Sequence, residues 1–390
     1  MKIAILTQPL RTNYGGILQA YALQTVLQRR GHEVVVINRE YKTYETFGKS
    51  NLPSPGLLAR RVLSFVKTFF KRIVLRQKGN VLMNPLSPFY HTRWTGYDVL
   101  PFVYKKIRRS KPIRFSDVLF RYIKHGGFHC VIVGSDQVWR PKYSPDIMDY
   151  FLKGLDWSHD IKRIAYAASF GTDSCEFTVE EISECACLLK NFDAVSVREE
   201  SGVELCKKLF DVTATHLLDP TMLLDKKDYI NLALSNETIT SSGDLLVYVL
   251  DPSDKSDSII DNLVQSGYYP NKASLTVNFT EGNHRLKQMS VEQWLRGFYE
   301  AKLVVTDSFH ACVFSIIFQK PFIVIGNNER GIARIESLLK MFNLQKRQVF
   351  SLQDFENRKD ELVASLDDNA IMQDLSRFRV DSIEFLSKWC

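Results

Sequence analysis

The sequence predicts an α/β protein made of two successive open parallel sheets with a cleft between them. Three observations predict it. The 390 residues exceed what one hydrophobic core usually supports. Short β-branched apolar runs alternate with helical patterns along most of the chain, as in βαβ units. One unit, Leu303 to Gly331, reads clearly as strand, polar turn, buried helix, strand and polar turn. In such sheets ligands bind beyond the carboxyl ends of strands, where helix N-termini also point.

In chain order, Lys2 to Leu6 is an apolar strand and Gln8 to Gly16 a polar turn. Ile17 to Arg30 follows the helical period through Leu18, Tyr21, Ala22, Thr25, Val26 and Arg29, and Gly31 ends it. Glu33 to Asn38 is the next strand, so this unit has the length of a right-handed crossover. Gly15-Gly16 is no G-x-G-x-x-G fingerprint, yet the pair lets a ligand approach the helix start. Phe128 to Val133 is a strand that delivers Gly134-Ser135-Asp136-Gln137-Val138-Trp139-Arg140-Pro141. Asp136 reads either as a base for a hydroxyl or as a helix cap, and Trp139 either as a sugar-stacking face or as core.

Arg163 to Ala168 is a strand, Thr178 to Leu189 a helix, and Ala194 to Val197 a strand ending at Arg198, beside the start of a helix to Leu209. Ala214 to Leu218 is a further strand, closed by Asp219-Pro220-Thr221. The domain boundary falls in the polar stretch Leu224 to Asp244, giving domains 1–225 and 226–369. The second series runs through strand Leu245 to Leu250, helix Ser256 to Ser266, a weak strand Ser274 to Asn278 and helix Val291 to Glu300. The Leu303 unit and helix Ile332 to Phe342 follow. Ala370 to Cys390 is a closing helix, capped by Asn369, that folds back on the first domain.

The Leu303 unit gathers candidate functional groups. Thr306-Asp307-Ser308 carries helix N-cap chemistry. Asp307, Ser308, His310 and Arg330 converge near the ends of two strands. An imidazole, a cation and a positive helix end suit a small anionic substrate. Taken singly, His310 reads equally as a hydrogen-bonded core residue and Arg330 as a surface residue.

Composition excludes other classes. Seven scattered cysteines without C-x-x-C pairs argue against a disulfide framework or zinc site, and for a reducing compartment. The start is too quickly polar for a signal peptide, and no apolar run approaches a membrane span. These readings place the protein in the cytoplasm. The net charge of +7 is uneven: Tyr41 to Gly126 holds 18 Lys and Arg against Glu45, Asp98 and Asp117. Within it, residues 56–78 interleave cations with apolar residues and contain no acid. That segment reads as a helix on an anionic membrane surface, or as a core-packed helix with a solvated basic face. No nucleic-acid motif accompanies the charge.

Five motifs in order carry a resemblance: Asn13-Tyr14-Gly15-Gly16-Ile17-Leu18-Gln19-Ala20, Gly134 to Trp139, Ala167-Ala168-Ser169-Phe170-Gly171, Ser196-Val197-Arg198-Glu199, and Thr306 to His310 with Lys320-Pro321-Phe322. Together they resemble the polysaccharide pyruvyl transferases over about Ile3 to Leu339. The resemblance implies two Rossmann-like domains like those of GT-B glycosyltransferases. It implies transfer of the pyruvyl group of phosphoenolpyruvate to two hydroxyls of a sugar, with a cyclic ketal formed and phosphate released. Arg198 matches the family's donor-binding arginine, His310 its helix-start histidine, and Arg330 its later basic residue. Many members read Arg-Leu-His where this chain has Ser308-Phe309-His310, so Arg334 or Lys320 is left to supply the missing anion contact.

The chemistry agrees with those residues. Phosphoenolpyruvate needs cations from several loops. Protonation at its C3 suits His310 as acid, and Asp136 is the candidate base. Acceptor selection falls to Asn13, Tyr14, Gly15, Gln137 and Trp139 by loop placement, with a lipid- or nucleotide-linked sugar as acceptor. No step calls for a metal or other cofactor. The alternatives are a sugar-nucleotide glycosyltransferase on the same fold and a non-enzymatic carbohydrate-binding assembly protein.

Overall fold

The computed structural model describes residues 1–41, 63, 66, 99–156, 160–235, 243–266, 272–274, 289–326 and 332–390. The basic segment 56–78 and Arg330 therefore lie outside the described residues, apart from positions 63 and 66.

Two fully parallel sheets organise the chain. The first has six strands: β1 (Lys2–Leu6), β2 (Glu33–Ile37), β3 (Cys130–Val133), β4 (Lys162–Ala168), β5 (Ala194–Val197) and β6 (Thr215–His216), in the order 2-1-3-4-5-6. The second has five: β7 (Leu245–Tyr248), β8 (Lys272–Ser274), β9 (Leu303–Thr306), β10 (Phe322–Ile325) and β11 (Gln348–Val349), in the order 11-10-9-7-8. In each sheet the chain builds one neighbour of its first strand and then crosses to the other side. That creates a switch point between β1 and β3, and another between β7 and β9.

Alternation along the strands divides the core. Ile3 and Ile5 of β1, with Val304 of β9, point into one continuous cluster between the sheets. Ala4 and Leu6 face a separate outer cluster, and Leu303 and Val305 face another. The shared cluster is filled by α1 (Tyr14–Arg29), by α6 (Lys226–Ala233), α8 (Val291–Glu300) and α9 (Phe309–Phe318), and by the turn Pro220–Leu223. α9 is apolar on every face because every residue in it is buried.

The remaining helices are α2 (Leu100–Lys106), α3 (Ser116–His125), α4 (Val179–Leu189), α5 (Glu200–Phe210), α7 (Asp254–Gln265), α10 (Ile332–Met341), α11 (Leu352–Val363) and α12 (Asp368–Trp389). α12 is capped by Asp367, which accepts from Ala370 N at 3.2 Å, and not by Asn369. It returns to the first sheet: Ser382 Oγ accepts from Leu218 N at 3.2 Å, and Lys162 Nζ donates to Trp389 O at 3.1 Å. β8 falls at Lys272–Ser274, earlier than the expected Ser274 to Asn278, whose later residues lie outside the described set.

The largest departure from expectation is at the start of α1. The helix begins at Tyr14, so Gly15 and Gly16 lie inside its first turn. Asn13, at the cap position, makes no capping bond, and its Nδ2 donates to Asp136 Oδ2 at 3.2 Å. The glycines belong there because other groups occupy the space of a side chain. A methyl on Gly16 would meet Asp136 Oδ2 at 3.0 Å, and one on Gly15 would lie 2.0 Å from His310 Nδ1.

Candidate active site

The two switch points meet where α1 begins. Gly15 of the first domain lies flat against the His310 ring, which the first turn of α9 carries from the second sheet. Tyr14 reaches across as well. Its hydroxyl donates to Met289 O at 2.7 Å, and its ring stacks on Trp294 with centroids 5.1 Å apart.

Arg198, at the end of β5, is fully buried and gripped by carboxylates. Its Nη1 donates to Asp219 Oδ2 at 2.8 Å and its Nη2 to Asp136 Oδ1 at 3.2 Å. Its Nε lies 4.0 Å from Glu199 Oε2, and neither atom has a hydrogen-bond partner among the described residues. Glu199 is held by its other oxygen, which accepts from Phe170 N at 2.8 Å. Burial pushes the Glu199 carboxyl up, against the pull of Arg198 and Arg334. Phe309 carries both arginines on its ring, Arg198 at 4.7 Å and Arg334 at 5.9 Å. Burial and then the charge of Arg198 push Arg334 down to about 10, and its Nε is buried without an acceptor among the described residues.

Asp219 joins these groups. Oδ1 accepts from Thr221 N at 3.0 Å and Thr221 Oγ1 at 2.7 Å. Oδ2 accepts from Ser135 Oγ at 3.1 Å and Arg198 Nη1, and faces His310 Nε2 at 3.7 Å. Burial opposes its ionisation, but His310, Arg198 and the Thr221 bonds hold the carboxyl far below the usual range.

The N-terminus of α9 is left open. Thr306 Oγ1 donates to Tyr248 O at 2.6 Å, and Asp307 accepts from Leu250 N at 2.7 Å and Asp251 N at 2.9 Å. The expected cap residues thus tie β9 to the end of β7. Ser308, at the cap position, makes no capping bond. Around the first turn of α9, His310 Nε2, Arg198 Nε and Arg334 Nε are buried without a hydrogen-bond partner among the described residues.

Beside it lies a cleft of about 250 Å³ at the β1–β3 switch point. Asn13, Gly16, Asp136 and Gln137 line it, together with Arg11, Tyr41 and Tyr143, which the sequence reading did not select. Asp136 has φ 71°, a left-handed turn that aims its carboxylate at Arg198 and Asn13.

Three expected site residues are corrected. Trp139 is fully buried, stacks on Phe151 and donates from Nε1 to Tyr150 O at 3.2 Å, so it shows no face to a sugar. Tyr14 is packed into the second domain and is unavailable to an acceptor. Lys320 follows the C-terminal end of α9, about 15 Å of helix away from His310. Trp139→Phe is accordingly expected to cost about 1–3 kcal/mol in urea unfolding while leaving acceptor KM unchanged. A raised KM at unchanged stability would return Trp139 to the site.

Among the described residues no cluster of His, Cys, Asp and Glu could hold a metal ion, and no helix is long and apolar enough to cross a membrane. Two parallel-sheet α/β domains with the site between them define a GT-B-like fold. The UDP-GlcNAc 2-epimerase of Methanocaldococcus jannaschii shares that fold at 12% identity and a TM-score of 0.51, over 94% of this chain and 93% of that one. The Neisseria meningitidis UDP-GlcNAc 2-epimerase aligns over 100% of both chains at 11% identity and a TM-score of 0.49. A comparison with curated protein sequences finds no match. The family model for polysaccharide pyruvyl transferase matches residues 13–329, and the chain belongs to that family.

Proposed function

We propose that the protein transfers the pyruvyl group of phosphoenolpyruvate to two hydroxyls of one sugar, forming a cyclic ketal and releasing phosphate. The observation that carries this reading is the pair of buried guanidinium nitrogens, Arg198 Nε and Arg334 Nε, that have no hydrogen-bond partner among the described residues around the start of α9. A substrate bearing both a carboxylate and a phosphate supplies acceptors for them. Ser308 and the first-turn N–H groups take one anionic group, and the arginines take the other. Arg330, outside the described residues, remains a further candidate.

In the first step a sugar hydroxyl oxygen bonds to C2 of phosphoenolpyruvate while a proton from His310 adds to C3, converting the methylene to a methyl group. The hydroxyl proton passes to Asp136, which lines the acceptor cleft. In the second step the neighbouring hydroxyl oxygen bonds to C2 as the C2–O bond to phosphate breaks; its proton passes to His310, restoring the acid, and the proton held by Asp136 leaves on the phosphate. Asn13 and Gln137 orient the sugar. None of these steps calls for a metal or an organic cofactor. The reading keeps the reaction in the cytoplasm with a lipid- or nucleotide-linked acceptor, and docking on an anionic membrane through 56–78 belongs to the same proposal.

The test is phosphate release and pyruvate incorporation by purified protein given phosphoenolpyruvate and extracted lipid- or nucleotide-linked sugars. Wild type is expected to form a pyruvylated product, with His310→Ala losing about 10³-fold in kcat and Arg334→Ala raising the KM for phosphoenolpyruvate. Binding of a nucleotide sugar without any binding or turnover of phosphoenolpyruvate would replace this reading with glycosyl transfer.

A further inference from the structure

We propose that Asp219 is the positioning residue for His310. The proposal rests on the reading of His310 as the proton donor, and its geometry stands without that reading. Asp219 caps the turn Pro220–Leu223 that follows β6 of the first sheet, whereas His310 rides on α9 of the second. The carboxylate is fixed without help from the histidine: Thr221 holds Oδ1, and Ser135 and Arg198 hold Oδ2. What remains of Oδ2 faces His310 Nε2 at 3.7 Å.

That nitrogen is buried and has no hydrogen-bond partner among the described residues. The ring is confined on two other sides, by Gly15 and by the edge-on ring of Phe309 at 5.2 Å. Gly15 and Phe309 thus set the ring plane, and Asp219 is the group toward which Nε2 can turn. A closing motion of about 1 Å brings the contact to hydrogen-bond length, the kind of tightening that substrate-free sites await. The other charged groups around the pair are Arg198, which shares Oδ2, and Arg334, Asp136 and Glu199 on the far side of Arg198. Asp307 is turned away toward Leu250 and Asp251. A carboxylate accepting from Nε2 orients the ring and leaves Nδ1 as the atom that delivers the proton.

A double-mutant cycle tests this. Kinetics with phosphoenolpyruvate are measured for wild type, Asp219→Asn, His310→Gln and the double variant. Asp219→Asn is expected to lower kcat about 10²-fold with little change in KM. In the His310→Gln background the same change should cost no more than about twofold. An equal loss in both backgrounds would mean that Asp219 serves only to hold Arg198, and would overturn the proposal. Should Asp219→Asn fail to fold, Asp219→Glu, which keeps the charge on a longer arm, replaces it in the same cycle.

A second readout is independent of the reaction. In protein labelled at histidine, the imidazole resonances that His310→Gln removes should shift in Asp219→Asn. If they shift while wild type turns over no phosphoenolpyruvate, the pair stands and the donor assignment falls. If they do not shift, the pair falls whatever the reaction.

Discussion

Replacing Arg198 with methionine is expected to abolish activity and to destabilise the fold by about 3–5 kcal/mol, because it strands buried carboxylates without their counter-charge. Asp136 keeps the Asn13 amide and Asp219 keeps Thr221 and Ser135. Those neutral donors do not replace a guanidinium shared by both. The loss should depend on pH with a definite sign. Asp219 is held below its unfolded value, so it contributes stability above roughly pH 4 that is lost as pH falls toward the depressed folded value. Without Arg198 that contribution shrinks. The gap between wild type and variant should therefore be widest near neutrality and narrow below about pH 4, as urea titrations across pH would show. A gap that widened toward acid would mean that the carboxylates are not the stranded groups.

Gly15→Ala should be nearly as damaging to activity by a different route. Its methyl would stand 2.0 Å from His310 Nδ1 and 2.2 Å from the ring carbon Cγ, inside any real contact. Either the ring leaves its place or the first turn of α1 backs away from α9. Both outcomes remove the acid from the substrate, and a loss of about 10² to 10³-fold in kcat is expected. Alanine favours the helix by about 1 kcal/mol over glycine, so the first domain itself should fold normally. Far-UV circular dichroism beside the kinetics separates the two effects. An active Gly15→Ala would show that His310 does not need the seat seen here.

Much of this was legible in the sequence. The strands announce themselves as short β-branched runs between polar turns, and α9 as a helix without a polar face. Arg198 and His310 were found because both sit where a strand gives way to a helix start. The failures share a cause, which is contact between residues far apart in the chain. Trp139 follows a polar packet and looks exposed, but positive φ at Gly134 and Asp136 turns the chain so that the indole enters the core. Tyr14 looks like a loop residue and is buried in the other domain. Asp219 in Asp-Pro-Thr reads as a closing turn, and nothing local reports that Arg198 and His310 converge on it. Thr306 and Asp307 have the composition of caps, yet Asp307 accepts from Leu250 N and Asp251 N, and Thr306 Oγ1 donates to Tyr248 O while accepting from Ser308 N. α2 and α3 were hidden within the basic run, where charge obscures the apolar stripe.

The first turn of α1 is a shared mounting plate. Asn13 braces the carboxylate in the cleft beside β1 and β3, Tyr14 bolts into the second domain, Gly15 seats the imidazole and Gly16 clears the same carboxylate. Four consecutive positions are fitted to Asp136, to the second domain at Met289 and Trp294, to His310 and to Asp136 again, so a one-residue slip would misplace all of them together. That wall of the cleft has no latitude to follow a change of sugar. A relative built to accept a different one would have to be retooled on the facing wall, at Arg11, Tyr41, Gln137 and Tyr143.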